Sequence, residues 1–278
     1  MNELTPEEIP HLMYGTAWKE EETAPLTMMA ITQGFRAIDT ANQRKHYFEA
    51  GVGHALSHAY EEGIVTRDEL FLQSKFTYVA GQDHRLPYDP DAPYALQVAQ
   101  SFDSSLQHLG TDFLDSYVLH GPSQRSGLSR ADFEVWSAME ALFAEGKTRA
   151  LGISNVTAEQ LRELLASADV APLFVQNRCF ARAGWDLDVR KICGDNDIIY
   201  QGFSLLTANR SELQHPDIRA IALRHERHIP QIIFRFAIDV GMLPLTGTTD
   251  PEHMRQDLDI LDFRLSDEEV ATIEEIAI

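Results

Sequence analysis

Cysteine is scarce in this chain, which has only Cys179 and Cys193 among its 278 residues. Their spacing matches neither a disulfide framework nor a cysteine-rich metal site. We therefore expect two reduced, buried thiols that serve packing. Reduced thiols are typical of the cytosol, so the sequence predicts a cytoplasmic protein with no metal site.

Long apolar runs and an excess of positive charge are also missing. No segment approaches the roughly 20 apolar residues that a membrane-spanning helix needs, and the polar, acidic segment 1–8 does not resemble a signal peptide. The formal net charge is −20, so neither nucleic acid nor an anionic membrane surface is an expected partner. Any anionic cofactor must bind through backbone amides, helix N-termini and a few local cations.

The chain instead contains short apolar segments that alternate with longer amphipathic ones. Its 44% hydrophobic and 24% charged residues are usual for one soluble globular domain, here spanning 1–278 without an obvious linker. Eight strands alternating with about eight helices predict an α/β fold, a closed (β/α)8 TIM barrel. The predicted strands span residues 11–18, 36–41, 70–76, 113–120, 149–154, 173–176, 198–204 and 242–246.

Several helices can be located from their apolar periodicity. Apolar residues recur at helical spacing over 94–109 and 133–145. A capping box at 157–160 (TAEQ) predicts a helix over 161–168, and a further helix is expected over 267–276. Gly110 follows the first of these helices, where a left-handed residue commonly ends a helix.

Four polar residues in the first half of the chain occupy positions that packing does not explain. Asp39, Lys75 and His120 each end, or nearly end, a predicted strand, and Tyr47 follows the second strand. A parallel barrel collects the C-terminal ends of its strands on one face, where active sites lie. A carboxylate, a phenol, an ammonium and an imidazole should therefore converge in a proton-transfer site.

Short motifs along nearly the whole chain resemble those of the aldo-keto reductase superfamily. Each motif alone is weak, but the ordered set is specific. The resemblance implies a TIM barrel that uses a reduced nicotinamide nucleotide. The motifs are 15–19 (GTAWK), 35–41 (FRAIDTA), 49–53 (EAGVG), 72–75 (LQSK), 109–115 (LGTDFLD), 118–120 (VLH), 146–147 (GK), 152–155 (GISN), 175–177 (VQN) and 244–248 (PLTGT).

The resemblance implies a catalytic tetrad of Asp39, Tyr47, Lys75 and His120. Hydride would pass from the nicotinamide to a carbonyl carbon, and Tyr47 would give a proton to the carbonyl oxygen. A free phenol has a pKa of about 10, and an adjacent Lys75 ammonium is expected to lower that pKa. Asp39 would pair with Lys75, while His120 would orient the substrate oxygen or relay protons.

Tyr47 departs from the family's spacing. The family's tyrosine stands seven residues before the glycine of a Val-Gly pair, and counting back from Gly53 reaches His46. The segment 42–47 (NQRKHY) lengthens this loop, and Tyr47 is the only phenol nearby. Tyr47 is therefore the predicted acid, with His46 as the rival assignment.

The same resemblance implies contacts with the nicotinamide end of the cofactor. Ser154, Asn155 and Gln176 stand where the family hydrogen-bonds the nicotinamide carboxamide. Gly15 and Thr16, in the first shared motif, are also assigned to the cofactor site.

In the seventh strand segment the family stacks an aromatic ring on the nicotinamide. Phe203 fits that position best, and Tyr200 is the alternative. Ser204 and Leu205 follow and would lie near the phosphates.

Segment 247–257 (GTTDPEHMRQD) is similar to the family's motif for the adenosine 2′-phosphate, and its helix start should bind an anion. Two positions where NADPH-specific members often carry cations are Gly247 and His253 here, so Arg255 or Arg210 would have to substitute. We expect NADP(H) or NAD(H), with a lean toward NADP(H). The assigned contacts in this segment are Gly247, Thr248, Thr249, His253, Gln256 and Asp257.

Trp18, Tyr78 and Trp185 are the predicted aromatic walls of the substrate pocket, with 77–93, 121–129 and 206–214 as loops around it. The predicted function is NAD(P)H-dependent reduction of an aldehyde or ketone to an alcohol, with a small carbonyl or alcohol as the partner. The alternative is a nucleotide-binding sensor with slow turnover. A metal-dependent hydrolase is disfavoured because the first strand has no His-x-His pair, and no oligomeric state is predicted.

Overall fold

Eight parallel strands pair in chain order, and the last pairs with the first, so the sheet closes into a barrel. The structure is a computed structural model that describes residues 4–277, except for the Pro6 side chain. It confirms the predicted (β/α)8 TIM barrel. The strands are β1 Met13–Gly15, β2 Ala37–Asp39, β3 Phe71–Phe76, β4 Ser116–Leu119, β5 Leu151–Ser154, β6 Phe174–Arg178, β7 Ile199–Phe203 and β8 Met242–Thr246.

Helices alternate with these strands around the barrel. Within residues 4–277, no helix combines the length and apolar character that a membrane span requires. The helices are α1 Thr23–Gln33, α2 Glu49–Glu61, α3 Tyr94–Leu109, α4 Arg130–Ala144, α5 Ala158–Leu165, α6 Leu187–Asp195, α7 Pro216–Arg224, α8 Ile229–Asp239, α9 Pro251–Leu258 and α10 Asp267–Glu274.

Capping residues explain where the helices begin and end. Helix α3 has its predicted bounds, and Gly110 ends it with a φ of 65°. Helix α4 starts earlier than its apolar pattern predicts, because Ser129 and Asp132 form a capping box. The predicted box from Thr157 to Gln160 is confirmed, and it starts α5 three residues before the apolar stretch.

The strands are generally shorter than their apolar segments. Beside β4, for example, Leu114 makes only an isolated bridge to Thr148 before the regular ladder starts at Ser116. The C-terminal ends, which position the site, lie within two residues of the predicted bounds except on β1, which ends at Gly15.

Successive side chains of a strand point alternately into and out of the barrel. They therefore form two apolar clusters, a small one inside the barrel and a large one between the strands and the helices. Phe71, Gln73 and Lys75 share one face of β3 because successive side chains point to opposite faces. Phe71 belongs to a small apolar cluster at the lower end of the barrel, whereas Leu72 packs in the large cluster. The small cluster contains Met13, Ala37, Phe71, Ala150, Phe174, Leu243 and Leu245.

The two cysteines are free and buried, as predicted. Burial raises the pKa of the Cys179 thiol and of the Cys193 thiol to about 12. Both thiols therefore stay protonated and unreactive at neutral pH.

Gly53 lies where α2 packs against α3 and leaves no room for a side chain. A Cβ at this position would clash with the carbonyl oxygen of His108 and lie 3.2 Å from the Cα of Leu109. We expect Gly53→Ala to lower the free energy of unfolding by about 1–3 kcal/mol, the usual cost of overpacking. Urea unfolding measures this change.

Gly194→Ala is the matched control, because among the described residues no neighbouring element lies within 4 Å of its Cβ position in α6. It should be neutral or stabilising by up to about 1 kcal/mol. Equal unfolding free energies for the two variants would contradict the close contact at Gly53.

Candidate active site

A cavity of about 670 Å³ opens at the C-terminal ends of the strands, where a barrel of this class carries its active site. Asp39, Tyr47 and His120 line it, and Lys75 reaches it through its contact with Asp39. Further wall residues come from the ends of β1 and β5–β8 and from helices α8 and α9. The four predicted catalytic residues therefore lie together.

Lys75 and Asp39 form a buried ion pair. The Lys75 Nζ donates to Asp39 Oδ1 at 2.6 Å and to the carbonyl oxygen of Thr40 at 2.8 Å. The two side chains are 0% and 4% exposed. A buried charge is tolerated when it is paired and hydrogen-bonded, so each of these charges depends on the other.

Tyr47 lies beside this ion pair, in the loop between β2 and α2. Its ring centroid is 5.2 Å from the Lys75 Nζ, and the His120 ring meets it edge-on at a centroid distance of 5.8 Å. At the end of β4, the Nδ1 of His120 hydrogen-bonds to the Thr77 hydroxyl at 2.7 Å. Within residues 4–277 no hydrogen bond is made by the Nε2 of His120, which can therefore face a ligand in the cavity.

The electrostatics of this site correct one expectation from the sequence. The pKa of Tyr47 is raised, first by burial and second by the Asp39 carboxylate, so Lys75 does not lower it overall. Burial lowers the pKa of Lys75, against the opposing effect of Asp39. Burial, with help from Lys75 and His46, lowers the pKa of His120 to about 3. At neutral pH the phenol is protonated and the His120 imidazole is neutral.

His46, the rival acid, stacks on Trp18 with 3.9 Å between the ring centroids and 33° between the planes. The Trp18 backbone N–H also donates to the His46 carbonyl at 2.7 Å. Both residues line the cavity, and Trp18 is 70% exposed there. The Tyr47 ring thus lies near Lys75 and His120, whereas the His46 ring lies on Trp18.

Ser154, Asn155 and Gln176 lie together on the wall formed by β5 and β6. The Ser154 hydroxyl donates to the carbonyl oxygen of Gln176 at 2.6 Å. The Asn155 Nδ2 donates to the carbonyl oxygen of His120 at 2.8 Å and to the Ser154 hydroxyl at 3.1 Å. This network links the predicted carboxamide contacts to the end of β4.

The end of β7 provides the next part of the wall. Phe203, Ser204 and Leu205 all line the cavity. Tyr200 does not, since it is 2% exposed and its hydroxyl donates to the Asp186 carboxylate at 2.9 Å. Of the two candidate rings on β7, Phe203 is therefore the one that faces the cavity.

The start of α9 differs from its predicted role as an anion site. Its N-cap residue, Asp250, accepts the backbone N–H groups of Glu252 and His253 at 2.8 Å and 3.1 Å. A carboxylate thus already occupies this helix N-terminus, where it disfavours a phosphate. Cavity-lining residues in this segment are Gly247, Thr248, His253, Gln256 and Asp257.

Lys19 places a buried cation beside Gly247, although the sequence analysis did not single it out. Its Nζ donates to the Gly247 carbonyl at 2.8 Å, and Lys19 is 7% exposed. A Cβ on Gly247 would lie 3.8 Å from this ammonium, whose pKa burial lowers to about 8. By contrast, Arg255 pairs with Glu252 on the exposed side of α9, and Arg210 lies outside the cavity wall.

Two predicted substrate walls lie away from the cavity. Trp185 is 0% exposed, and its Nε1 donates to the carbonyl oxygen of Ile273 at 2.9 Å, so it anchors α10 instead. The Tyr78 hydroxyl donates to Asp132 at 2.9 Å, in the loop after β3. Of the three predicted aromatic walls, only Trp18 lines this cavity.

Two predicted cofactor contacts also lie outside the wall. Thr16 is fully buried, and its hydroxyl donates to the Asp39 carbonyl at 2.9 Å, so it joins β1 to β2. Thr249 is exposed, in the segment before α9. Gly15, next to Thr16, does line the cavity.

Gln73 and Gln201 hydrogen-bond with residues of the site, although they were not among the candidates predicted from the sequence. Gln73 donates to Asp39 at 2.7 Å, and Gln201 bonds to Gln73. Their signal is the strand period of two: Gln73 precedes Lys75 by two residues, and Gln201 precedes Phe203 by two. An amide on the same strand face as a site residue is therefore a candidate member of the site.

Comparison with known proteins agrees with this geometry. A model of the aldo/keto reductase family matches residues 11–278. Morphine 6-dehydrogenase of Pseudomonas putida is 30% identical over 273 residues, covering 92% of this chain and 83% of that protein. Glyoxal reductase of Bacillus subtilis is 30% identical over 245 residues, covering 88% and 80%. The Bombyx mori aldo-keto reductase AKR2E4, solved in complex with NADP, has a TM-score of 0.79 and 25% identity, over 96% of this chain and 89% of that one.

Proposed function

The chain belongs to the aldo/keto reductase family, and we propose that it reduces an aldehyde or ketone to an alcohol with NAD(P)H and catalyses the reverse oxidation. The observation that carries this proposal is the buried Asp39–Lys75 ion pair beside Tyr47 and His120 at the cavity. The similar glyoxal reductase and morphine 6-dehydrogenase are also consistent with a carbonyl–alcohol pair as the substrate class.

Tyr47, His120 and Lys75 would take different parts in the proton transfer. A bound nicotinamide nucleotide would supply the hydride to the carbonyl carbon. The raised pKa of Tyr47 keeps its phenol protonated, so it can give its proton to the carbonyl oxygen as negative charge develops there. Neutral His120 orients that oxygen through Nε2, and the Lys75 ammonium stabilises the phenolate left behind.

The cavity residues fit a nicotinamide nucleotide. Ser154, Asn155 and Gln176 provide hydroxyl and amide groups near His120, and Phe203 provides a ring for stacking. Lys19 provides a cation beside Gly247 for the phosphates. A volume of about 670 Å³ is also within the usual range for ligand pockets, roughly 300–1,000 Å³.

A steady-state screen of aldehydes and ketones with NADPH and NADH tests the proposed activity. We expect oxidation of the reduced cofactor that depends on the carbonyl and on enzyme concentration. A protein that quenches or enhances cofactor fluorescence on binding but turns over none of the carbonyls would instead be the nucleotide-binding sensor. A cytoplasmic location remains a prediction, and fractionation of the source cells checks it.

Discrimination between NADPH and NADH should be weak, because the site has few fixed cations for a 2′-phosphate. Asp250 occupies the helix N-terminus, Gly247 has no side chain, and Arg255 is paired with Glu252. We expect the two dissociation constants to differ by less than about 100-fold, or about 2.7 kcal/mol. Fluorescence titration with each cofactor measures them.

Substitutions at Gly247 and Lys19 test which contacts determine the affinity for NADPH and for NADH. Gly247→Lys should shift preference toward NADPH, since a Cβ there meets nothing closer than the Gly15 carbonyl at 3.5 Å. Lys19→Met should weaken both cofactors equally if Lys19 serves the pyrophosphate, and NADPH alone if it serves the 2′-phosphate. A wild-type NADPH preference of about 1,000-fold or more would contradict this prediction and show a stronger site for the 2′-phosphate than these contacts provide.

A further inference from the structure

Three buried glutamine side chains adjoin the ion pair and bond to one another. We name Gln73, Gln176 and Gln201, which are 0%, 3% and 0% exposed, the amide layer. Asp39 Oδ1 accepts from Gln73 Nε2 at 2.7 Å and from Gln176 Nε2 at 3.0 Å, as well as from Lys75. Gln201 Oε1 accepts from Gln73 Nε2 at 2.8 Å and from Gln176 Nε2 at 3.0 Å, and Gln201 Nε2 donates to Gln73 Oε1 at 3.0 Å.

Chemistry alone dictates how these amides are oriented. An ionised carboxylate only accepts hydrogen bonds, so Gln73 and Gln176 must both turn their NH₂ groups toward Asp39. The second hydrogen of each NH₂ group goes to Gln201 Oε1. Both hydrogens of Gln176 are thus used, and only its side-chain oxygen remains for a ligand in the cavity.

The barrel places the amide layer between the ion pair and the small apolar cluster at its lower end. Along β3, Phe71 belongs to that cluster, Gln73 to the amide layer and Lys75 to the ion pair. Strands β3 and β7 lie four strands apart in the eight-stranded barrel. The reciprocal bonds between Gln73 and Gln201 therefore cross the barrel interior and connect opposite walls below the site.

We propose that Gln73 and Gln201 are positioning residues for the reaction: they hold Gln176 with its oxygen toward the cavity and fix the Asp39 carboxylate against Lys75. This inference rests on the proposed function. Gln73 and Gln176 donate to the same Oδ1 atom of Asp39 that accepts from Lys75. The amide layer thus fixes the carboxylate that holds the Lys75 ammonium in place.

Several other titratable groups face the ion pair, but none of them hydrogen-bonds to Gln73 or Gln201 within residues 4–277. Glu49 on α2 raises the pKa of Lys75, as Asp39 does, and Glu49 itself is bonded to Ser74 and His108. Substitutions in the layer therefore act on the pair through Asp39 and Gln176. The facing groups are Tyr47 in the loop after β2, Glu49 on α2 and His120 after β4.

The test compares kcat of carbonyl reduction and the cofactor dissociation constant for Gln73→Leu and Gln201→Glu. Gln73→Leu removes one donor from Asp39, and Gln201→Glu replaces the Nε2 donor to Gln73 by an oxygen. Both changes loosen the contacts that hold Asp39 and Gln176, so kcat should fall and the dissociation constant should rise, by about tenfold in all, the effect of roughly one lost hydrogen bond. Ser116→Ala is the control: Ser116 lies in register with Gln73, and its buried hydroxyl has no hydrogen-bond partner among the described residues.

The outcomes distinguish the inference from the function on which it rests. Variants that keep the wild-type melting temperature but show a lower kcat and weaker cofactor binding, with unchanged values for Ser116→Ala, support the layer's role. Wild-type kcat and cofactor affinity in both glutamine variants would overturn it. If Gln73→Leu does not fold, the nearly isosteric Gln201→Glu decides alone. A wild-type protein without turnover on any carbonyl would contradict the proposed function instead.

Discussion

Replacing Tyr47 by phenylalanine is expected to lower carbonyl reduction by about 10²–10⁴-fold, the usual worth of general acid catalysis. The substitution removes only the hydroxyl that would donate the proton and keeps the ring between Lys75 and His120. The cofactor should therefore bind with nearly unchanged affinity. Steady-state kinetics and a fluorescence titration of the cofactor measure the two quantities separately.

Tyr60→Phe is a suitable control for this variant. The Tyr60 hydroxyl is buried and makes no hydrogen bond within residues 4–277, so its removal should not change turnover. His46→Ala tests the rival acid, and we expect it to affect binding through the lost stacking on Trp18 more than turnover. Near-wild-type turnover in Tyr47→Phe together with an inactive His46→Ala would assign the acid to His46.

Replacing Lys75 by methionine is expected to reduce turnover by at least about 100-fold and to destabilise the fold. Asp39 would remain as a buried charge without its partner at 2.6 Å, and breaking a buried pair costs about 3–5 kcal/mol. The unbalanced carboxylate would also raise the pKa of Tyr47 further. Any residual alcohol oxidation, which needs the phenolate, should then begin at higher pH than in the wild type.

A second substitution separates the loss of charge from the loss of folding. The double variant Asp39→Asn, Lys75→Met removes both charges, so it should recover much of the unfolding free energy without recovering activity. Lys191→Met, at a side chain that is 71% exposed, controls for removal of a lysine. An active Lys75→Met enzyme with an unchanged pH profile would break the assignment of the four residues to one catalytic site.

The sequence by itself determined the architecture and the meeting point of the site. Apolar segments of strand length, helix caps at Thr157 and Gly110, and the alternation of strand and helix are local features, and the topology of a parallel barrel restricts how they assemble. Because all strands run in one direction, residues at their ends had to meet. The convergence of Asp39, Lys75 and His120 could thus be predicted without knowing any distance.

Only the tertiary structure decided which side chains face the cavity and how their charges interact. Trp185 was expected at the substrate but is buried against α10, because its direction depends on a left-handed turn at 184–186. The pKa of Tyr47 was expected to be lowered, but burial and the nearby Asp39 raise it. Lys19 reaches Gly247 from 228 residues away in sequence. Such effects depend on distance and solvent exclusion between segments remote in the chain, which local patterns do not encode.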